Sequence, residues 1–266
     1  MVSGYEFRKC RSCGHEFVPL GDCKLGEEYG DAYFSGGGAG YADFLGEAEL
    51  KQQHGRRYAA ILTRHMTPGR VLDVGAAAGF VLAGLSQAGW SGIGVEPNHS
   101  MVTFARERFG LRVFEGWMEA FSSPEWFDLV TMIQVVGHFF DVERAFRAAA
   151  EATRSGGYWL IETWNRDSVT ARVLGRHWHE YSPPSVRHIF SIRGLDGYVE
   201  RYGFSPIARG RPKKFIPAKH LKAFLTYKSR ESVLSRSMLR AVNLLSDEAV
   251  LWYPAEDLFW SLYRKK

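Results

Sequence analysis

The stretch Arg70-Val71-Leu72-Asp73-Val74-Gly75-Ala76-Ala77-Ala78-Gly79-Phe80 constrains the fold more than any other part of this chain. A compact apolar run follows Pro68-Gly69 and reads as a buried strand. A loop of small residues comes next, then a helix from Phe80 to Ala88, closed by Gly89. The same alternation repeats downstream. Gly92-Ile93-Gly94-Val95 is a strand ending in Glu96, and His99 to Phe109 is a helix with Phe104, Ala105 and Phe109 on one face. Arg112 to Glu115 and Phe127 to Ile133 are strands, and Val142 to Ala152 is a helix striped by Ala145, Phe146, Ala149 and Ala152. Gly156-Gly157 breaks the pattern before a strand at Tyr158 to Ile161. Ser191 caps a helix to Tyr202, Phe204 to Ala208 is a sixth strand, and Asp257 to Arg264 is the last. Such alternation predicts an α/β fold: a doubly wound, mostly parallel, seven-stranded sheet with helices on both faces. Ligands of such sheets bind beyond the carboxyl ends of the strands, here the loops after Val74, Val95, Glu115, Ile133 and Ile161.

Composition narrows the class further. With 266 residues, 45% hydrophobic and 24% charged, the chain is neither disordered nor coiled-coil. No apolar run reaches the ~18 residues of a membrane helix, and Met1 to Lys9 lack the apolar core of a signal peptide. Three cysteines argue for a reducing, cytoplasmic setting. The net charge of +5 is concentrated: Ile207 to Arg240 hold ten Lys or Arg and a single acid, Glu231. That segment is either a solvated helical face or a local field for acidic or phosphorylated partners.

The glycine loop discriminates among nucleotide folds. A dinucleotide fingerprint starting at Gly75 needs a small residue at position 80, where Phe80 stands. The small residues Gly75, Ala77 and Gly79 suit Gly-x-Gly-x-Gly with alanine at the centre. With Glu96 ending the next strand, Phe127-Asp128-Leu129-Val130, the Val135 to Phe139 segment and Arg154-Ser155-Gly156-Gly157, the chain resembles the class I S-adenosylmethionine-dependent methyltransferases over residues 70 to 210. Within them it is most similar to the small-molecule branch of ubiquinone-pathway and sugar methyltransferases. The resemblance implies a Rossmann-like methyltransferase fold and S-adenosylmethionine as cofactor. It implies that Asp73, Gly75, Ala76, Ala77 and Gly79 meet the amino-acid tail. Glu96 and Pro97 would meet the ribose, Trp117 and Met118 the adenine, and Gln134 the strand-four side of the cofactor.

The chemistry needs an acceptor site as well. His138 follows strand four and is a candidate base, with a packing role as the alternative. His188, before Ile189-Phe190-Ser191, is a second candidate. His177 and His179 flank Trp178, but no third ligand is evident, so no metal is expected there. Cys10-x-x-Cys13 has zinc-knuckle spacing; with Cys23 and His15 it is either a zinc site or a degenerate ribbon. Residues 1–45 then form an N-terminal cap segment, whose Tyr29 to Tyr41 run, with Tyr33-Phe34, resembles the family's Tyr-Phe segment over the cofactor. Residues 46–266 form the methyltransferase domain, with a helical insertion at about 211–250 carried by Leu234, Met238, Val242 and Leu245. The expected partner is a small-molecule acceptor, acidic or phosphorylated, rather than nucleic acid, and a homodimer is compatible with the insertion. Two other readings stand beside this one: a non-catalytic S-adenosylmethionine-binding module and an RNA methyltransferase.

Overall fold

The computed structural model describes residues 4–19, 29–35, 44–123, 126–228, 239–247, 249–253 and 255–266. By internal contacts the chain divides into two compact units, one of residues 1–211 with 256–266 and one of Pro212–Ala255.

The first unit is built on seven strands: β3 (Arg70–Val74), β4 (Ser91–Glu96), β5 (Arg112–Glu115), β6 (Phe127–Ile133), β7 (Thr153–Trp164), β9 (Phe204–Gly210) and β12 (Leu258–Lys265). Their order is β5-β4-β3-β6-β7-β12-β9. The pairs from β5 to β7 are parallel, and β12 runs antiparallel to both its neighbours. Each central strand alternates between two cores. Val71, Leu129 and Leu160 face α2 (Ala48–Leu62) and α3 (Phe80–Ser86) through Tyr58, Leu62, Leu82 and Leu85. Leu72, Val130 and Trp159 face α5 (Val142–Ala152) and α7 (Ile192–Glu200) through Phe146, Leu195 and Tyr198. Burial on both faces explains why these strands read as continuous apolar runs.

Local chemistry sets the helix ends. The Asn98 side chain caps α4 (His99–Phe109), which ends on Gly110 in the left-handed region. Asp141 caps α5 and Ser191 caps α7. Gly156 and Gly157 do not interrupt the chain as their composition predicts. They lie inside β7, which begins directly after α5, with Gly156 at φ +70° beside a register shift against β6. A bulge absorbs the two glycines without ending the strand.

Three features lie outside the alternating pattern. A short ribbon of β1 (Arg8–Lys9) and β2 (Glu16–Phe17) pairs with β8 (His188–Ile189) in a separate sheet. A turn of helix, α1 (Asp31–Phe34), precedes the first domain helix, and α6 (Val169–Leu174) follows β7. The second unit is not purely helical: β10 (Lys214–Pro217) pairs antiparallel with β11 (Val250–Tyr253), and α8 (Ala218–Lys228) follows β10. Leu234 and Met238 of the expected amphipathic helix lie outside the described residues, and Leu245 is exposed. Within this unit Lys222 binds Asp247 Oδ1 at 2.6 Å and the Leu245 carbonyl at 2.7 Å.

Candidate active site at the carboxyl edge of the sheet

Five parallel strands end at one edge, and the loops leaving them carry the candidate residues. Gly75 and Gly79 have φ of +68° and +76°, and Ala77 between them stands at +46°. The central alanine therefore takes a backbone that glycine adopts more easily. A Cβ on Gly75 would lie 2.6 Å from Val135 Cγ2, so the loop after β3 packs directly on the loop after β6. The Gly75 and Ala76 amides donate to the Val95 carbonyl at 2.9 and 3.1 Å.

Two carboxyl groups sit behind this loop. Glu96 is 4% exposed and accepts from the Ala77 amide through Oε2 and the Asn98 amide through Oε1, both at 2.9 Å. Asp73 is 2% exposed; its Oδ1 accepts from Thr131 Oγ1 at 2.6 Å, and its Oδ2 is buried without a partner. Burial pushes each up to about 7, against the hydrogen bonds that favour the charged forms. No lysine or arginine pairs with either among the described residues. Two buried acids lacking a cation, one with an orphaned oxygen, form a site suited to a ligand that carries positive charge and hydroxyl donors.

The walls come from four other segments. Trp117 follows β5, and its ring meets Tyr29 edge-on at 5.8 Å; Met118 packs in the core beside Val95 and Phe121. Pro97 stands between Glu96 and the capping residue Asn98, which also donates to the Tyr29 carbonyl at 2.9 Å and Asp31 Oδ1 at 3.1 Å. Tyr29 thus joins three loops, because its hydroxyl donates to the Ser185 carbonyl at 2.7 Å and its ring lies 5.8 Å from that of His138. Phe34 packs with Phe44, Ala77, Ala78 and Phe80, so the N-terminal segment lies against the glycine loop. Residues 36–41 of the expected covering run are outside the described residues.

His138 sits half-buried with Nδ1 2.8 Å from the Ser185 carbonyl. A carbonyl only accepts, so Nδ1 carries the proton and Nε2 is left as the acceptor. Burial pulls this imidazole down to about 4. Trp164 and Tyr33 complete an aromatic surround, with ring centroids 5.8 and 6.5 Å away.

Gln134 has an explanation that the sequence did not offer. It is a non-glycine residue at φ +56°. Its amide donates to the Glu162 carbonyl at 2.8 Å, and its Nε2 donates to Glu162 Oε1 at 2.5 Å. Glu162 is fully buried on β7, and its Oε2 also meets His54 Nε2 at 2.7 Å and accepts from the Tyr58 hydroxyl. Helix α2 therefore supports the end of β6 through a buried carboxylate. Glu162 and His54 were not singled out from sequence, and Tyr29 entered only as the start of the covering run. An acid inside the apolar run Leu160-Ile161-Glu162 was the available signal for the first.

His188 does not join the loop cluster through its side chain. Its Nδ1 lies 3.1 Å from His15 Nε2, and the two rings stack 5.1 Å apart. Pairing of β8 with β2 turns it toward the N-terminal ribbon, where it lines a 590 Å³ cavity with Cys10, Cys13 and His15. Burial lowers His188 to about 3 and His15 to about 4. His188 Nε2 is buried without a partner among the described residues, so the side chain expected as a second candidate base faces the ribbon and not the loops after the strands. Among the described residues no third His, Cys, Asp or Glu joins Cys10 and Cys13 within 4.8 Å of both. A hydrogen bond from Ser12 holds the Cys10 thiol down at about 6. Cys23 lies outside the described residues.

Comparisons with known proteins show the family and the fold. A methyltransferase domain model matches residues 47–208, and the chain belongs to that family. It is 30% identical over 113 residues to a ubiquinone biosynthesis O-methyltransferase of Bradyrhizobium diazoefficiens, covering 40% of this chain and 45% of that protein. It is 32% identical over 165 residues to the protein of the same name from Rhizobium johnstonii, covering 52% and 65%. The chain thus spans about half to two thirds of these curated relatives. Among solved structures it resembles an S-adenosylmethionine-dependent methyltransferase of Thermotoga maritima described as a possible histamine N-methyltransferase, at 21% identity and TM-score 0.52, over 84% of this chain and 96% of that one. Magnesium protoporphyrin IX methyltransferase of Synechocystis gives TM-score 0.55 at 13% identity over 85% and 90%. At these identities the structural likeness establishes the fold alone. No helix among the described residues is long and apolar enough to cross a membrane.

Proposed function

We propose that this chain transfers a methyl group from S-adenosylmethionine to a small-molecule acceptor. The observation that carries the proposal is the pair of buried acids behind a tight glycine loop. The unpartnered Asp73 Oδ2 suits the ammonium of the amino-acid tail, and each Glu96 oxygen keeps a lone pair for a ribose hydroxyl. Backbone at Gly75, Ala76, Ala77 and Gly79 would border the tail, Pro97 the ribose, and Trp117 and Met118 the adenine. Gln134, held by Glu162, would border the methyl-bearing side. When bound, the cofactor supplies a methyl group already activated on a sulfonium.

The remaining work falls to the chain's own residues. Tyr29, Tyr33 and Trp164 surround His138 with rings, which keeps water from the acceptor side. His138 Nε2 is the acceptor available to an incoming hydroxyl. An imidazole lowered to about 4 is neutral at pH 7 and a weak base. It orients the acceptor's hydroxyl and receives its proton as the oxygen becomes positive during transfer, rather than ionising it beforehand. The names of the relatives support a small molecule over nucleic acid, and the basic excess of residues 207–240 supports an acidic one. Calorimetry with S-adenosylhomocysteine tests the cofactor reading. We expect saturable 1:1 binding, and no heat at millimolar ligand would remove the proposal. Tight binding without turnover over a broad panel of acidic phenols and phosphorylated sugars would instead leave a binding module.

A further inference from the structure

We propose that His179, Glu180 and Asp257 form a binding site for a divalent first-row metal ion, separate from the candidate cofactor site and independent of the methyl-transfer reading. One ligand atom from each of the three lies within 4.8 Å of the other two. His179 Nε2 is 2.8 Å from Glu180 Oε1. Around one ion, with bonds of about 2.0–2.2 Å, ligand atoms stand roughly 3–4 Å apart. The set therefore needs only a small closure. His179, whose side chain is 56% exposed, can supply it.

Asp257 is the independent reason to expect a cation. It is 4% exposed, yet among the described residues its side chain has a single hydrogen-bonding partner, a neutral one: Trp178 Nε1 donates to Oδ2 at 2.9 Å. No lysine or arginine pairs with it among the described residues. A buried carboxylate with one neutral donor carries a desolvation penalty that a metal ion would offset. The Trp178 indole N–H then acts as the outer-shell donor that fixes a ligating carboxylate in direction. The arrangement is rigid on that side, since Trp178 is 1% exposed and the Asp257 carbonyl accepts from the Asn165 amide at 2.6 Å. One imidazole and two carboxylates are the donor set for Mn²⁺, Fe²⁺ or Zn²⁺ rather than for a soft ion.

Sequence spacing suggested His177 and His179 and found no third ligand. The fold keeps His179, leaves His177 beside the Arg176 guanidinium, and brings in Asp257 from 78 positions downstream. A metal there would fasten the 175–181 turn to the residue before β12. That strand pairs Leu258 with Trp164, whose ring faces His138. The site therefore braces the wall on the acceptor side.

Manganese titration of the chelator-stripped full chain, followed by electron paramagnetic resonance of free Mn²⁺, tests the site. Mn²⁺ is chosen because thiolates such as Cys10 and Cys13 bind it poorly. We expect one saturable site, weakened at least tenfold by His179→Ala and by Asp257→Asn. Affinity for S-adenosylhomocysteine should be unchanged in both variants. Mn²⁺ should also raise Tm for the wild type and not for His179→Ala. The exposed His179 keeps the test valid if Asp257→Asn fails to fold. Absence of a saturable site below millimolar Mn²⁺, or equal binding by His179→Ala, would overturn the proposal and leave the imidazole as a partner of Glu180.

Discussion

Asp73 and Glu96 are carboxyl groups held where water is excluded, and their behaviour follows from that cost. Asp73 rises from 3.8 to about 7 on burial, so the folded chain holds this proton more tightly than the unfolded one between about pH 4 and 7. The stability this proton confers is complete at low pH and is lost as pH rises through 7. Asp73→Asn should therefore leave the ligand-free protein as stable as wild type near pH 4 and more stable by a few kcal/mol near pH 8. Denaturant melts at the two pH values check it. Glu96→Ala removes an acceptor of hydroxyl donors and should weaken S-adenosylhomocysteine by about ten- to a hundredfold, roughly 1.5–3 kcal/mol. Unchanged affinity in calorimetry would take Glu96 out of the ribose role. His138→Ala should keep cofactor affinity and lower kcat by ~10²-fold. Equal turnover would reduce His138 to a packing residue between Ser185 and Trp164. The residue types at these three positions were legible in the sequence because Asp73 and Glu96 stand at the ends of strands and His138 in the loop that follows one. The state of each group was not, because burial and partners arrive from segments up to 109 positions away, as Tyr29 does to His138.

Elements behave as the chain pattern implies where neighbours in sequence are neighbours in space. The strands at Arg70–Val74, Arg112–Glu115 and Phe127–Ile133 and the helices His99–Phe109 and Val142–Ala152 have the bounds their apolar periodicity marks. The contact between α2 and α3 is different in kind. A Cβ on Gly55 would lie 2.4 Å from the Val81 carbonyl oxygen, and one on Gly84 would lie 2.3 Å from that of Gln52. The two helices touch backbone to backbone, and neither partner can yield as a side chain could. Gly55→Ala or Gly84→Ala should each cost about 1–3 kcal/mol, beyond any gain in helix propensity. Because α2 carries His54 and Tyr58 onto Glu162, the same variants should disturb Gln134 and raise the cofactor Kd. Chemical denaturation and calorimetry read the two effects separately. Unchanged stability would mean that the helices separate without penalty.

On the scale of the whole molecule, charge is divided between the two units. The test of acidic-acceptor capture neutralises Lys213, Lys214, Lys219 and Lys222 together. The acceptor KM should rise, more at low ionic strength than at high, with cofactor affinity unaltered. A KM that stays level at low salt would sever the basic segment from acceptor choice. The sequence by itself determined the sheet, its winding, the edge proposed for ligands and the acids at that edge. Each of these follows from local periodicity and from the rule that a parallel strand must be covered on both faces. Only the tertiary structure decided that His188 belongs to His15, that Glu162 supports Gln134 from below, that Asp257 meets His179, and that the β1–β2 ribbon pairs with β8. Those are pairings between distant segments, fixed by packing and by the need to partner buried polar groups, and no periodicity along the chain records them.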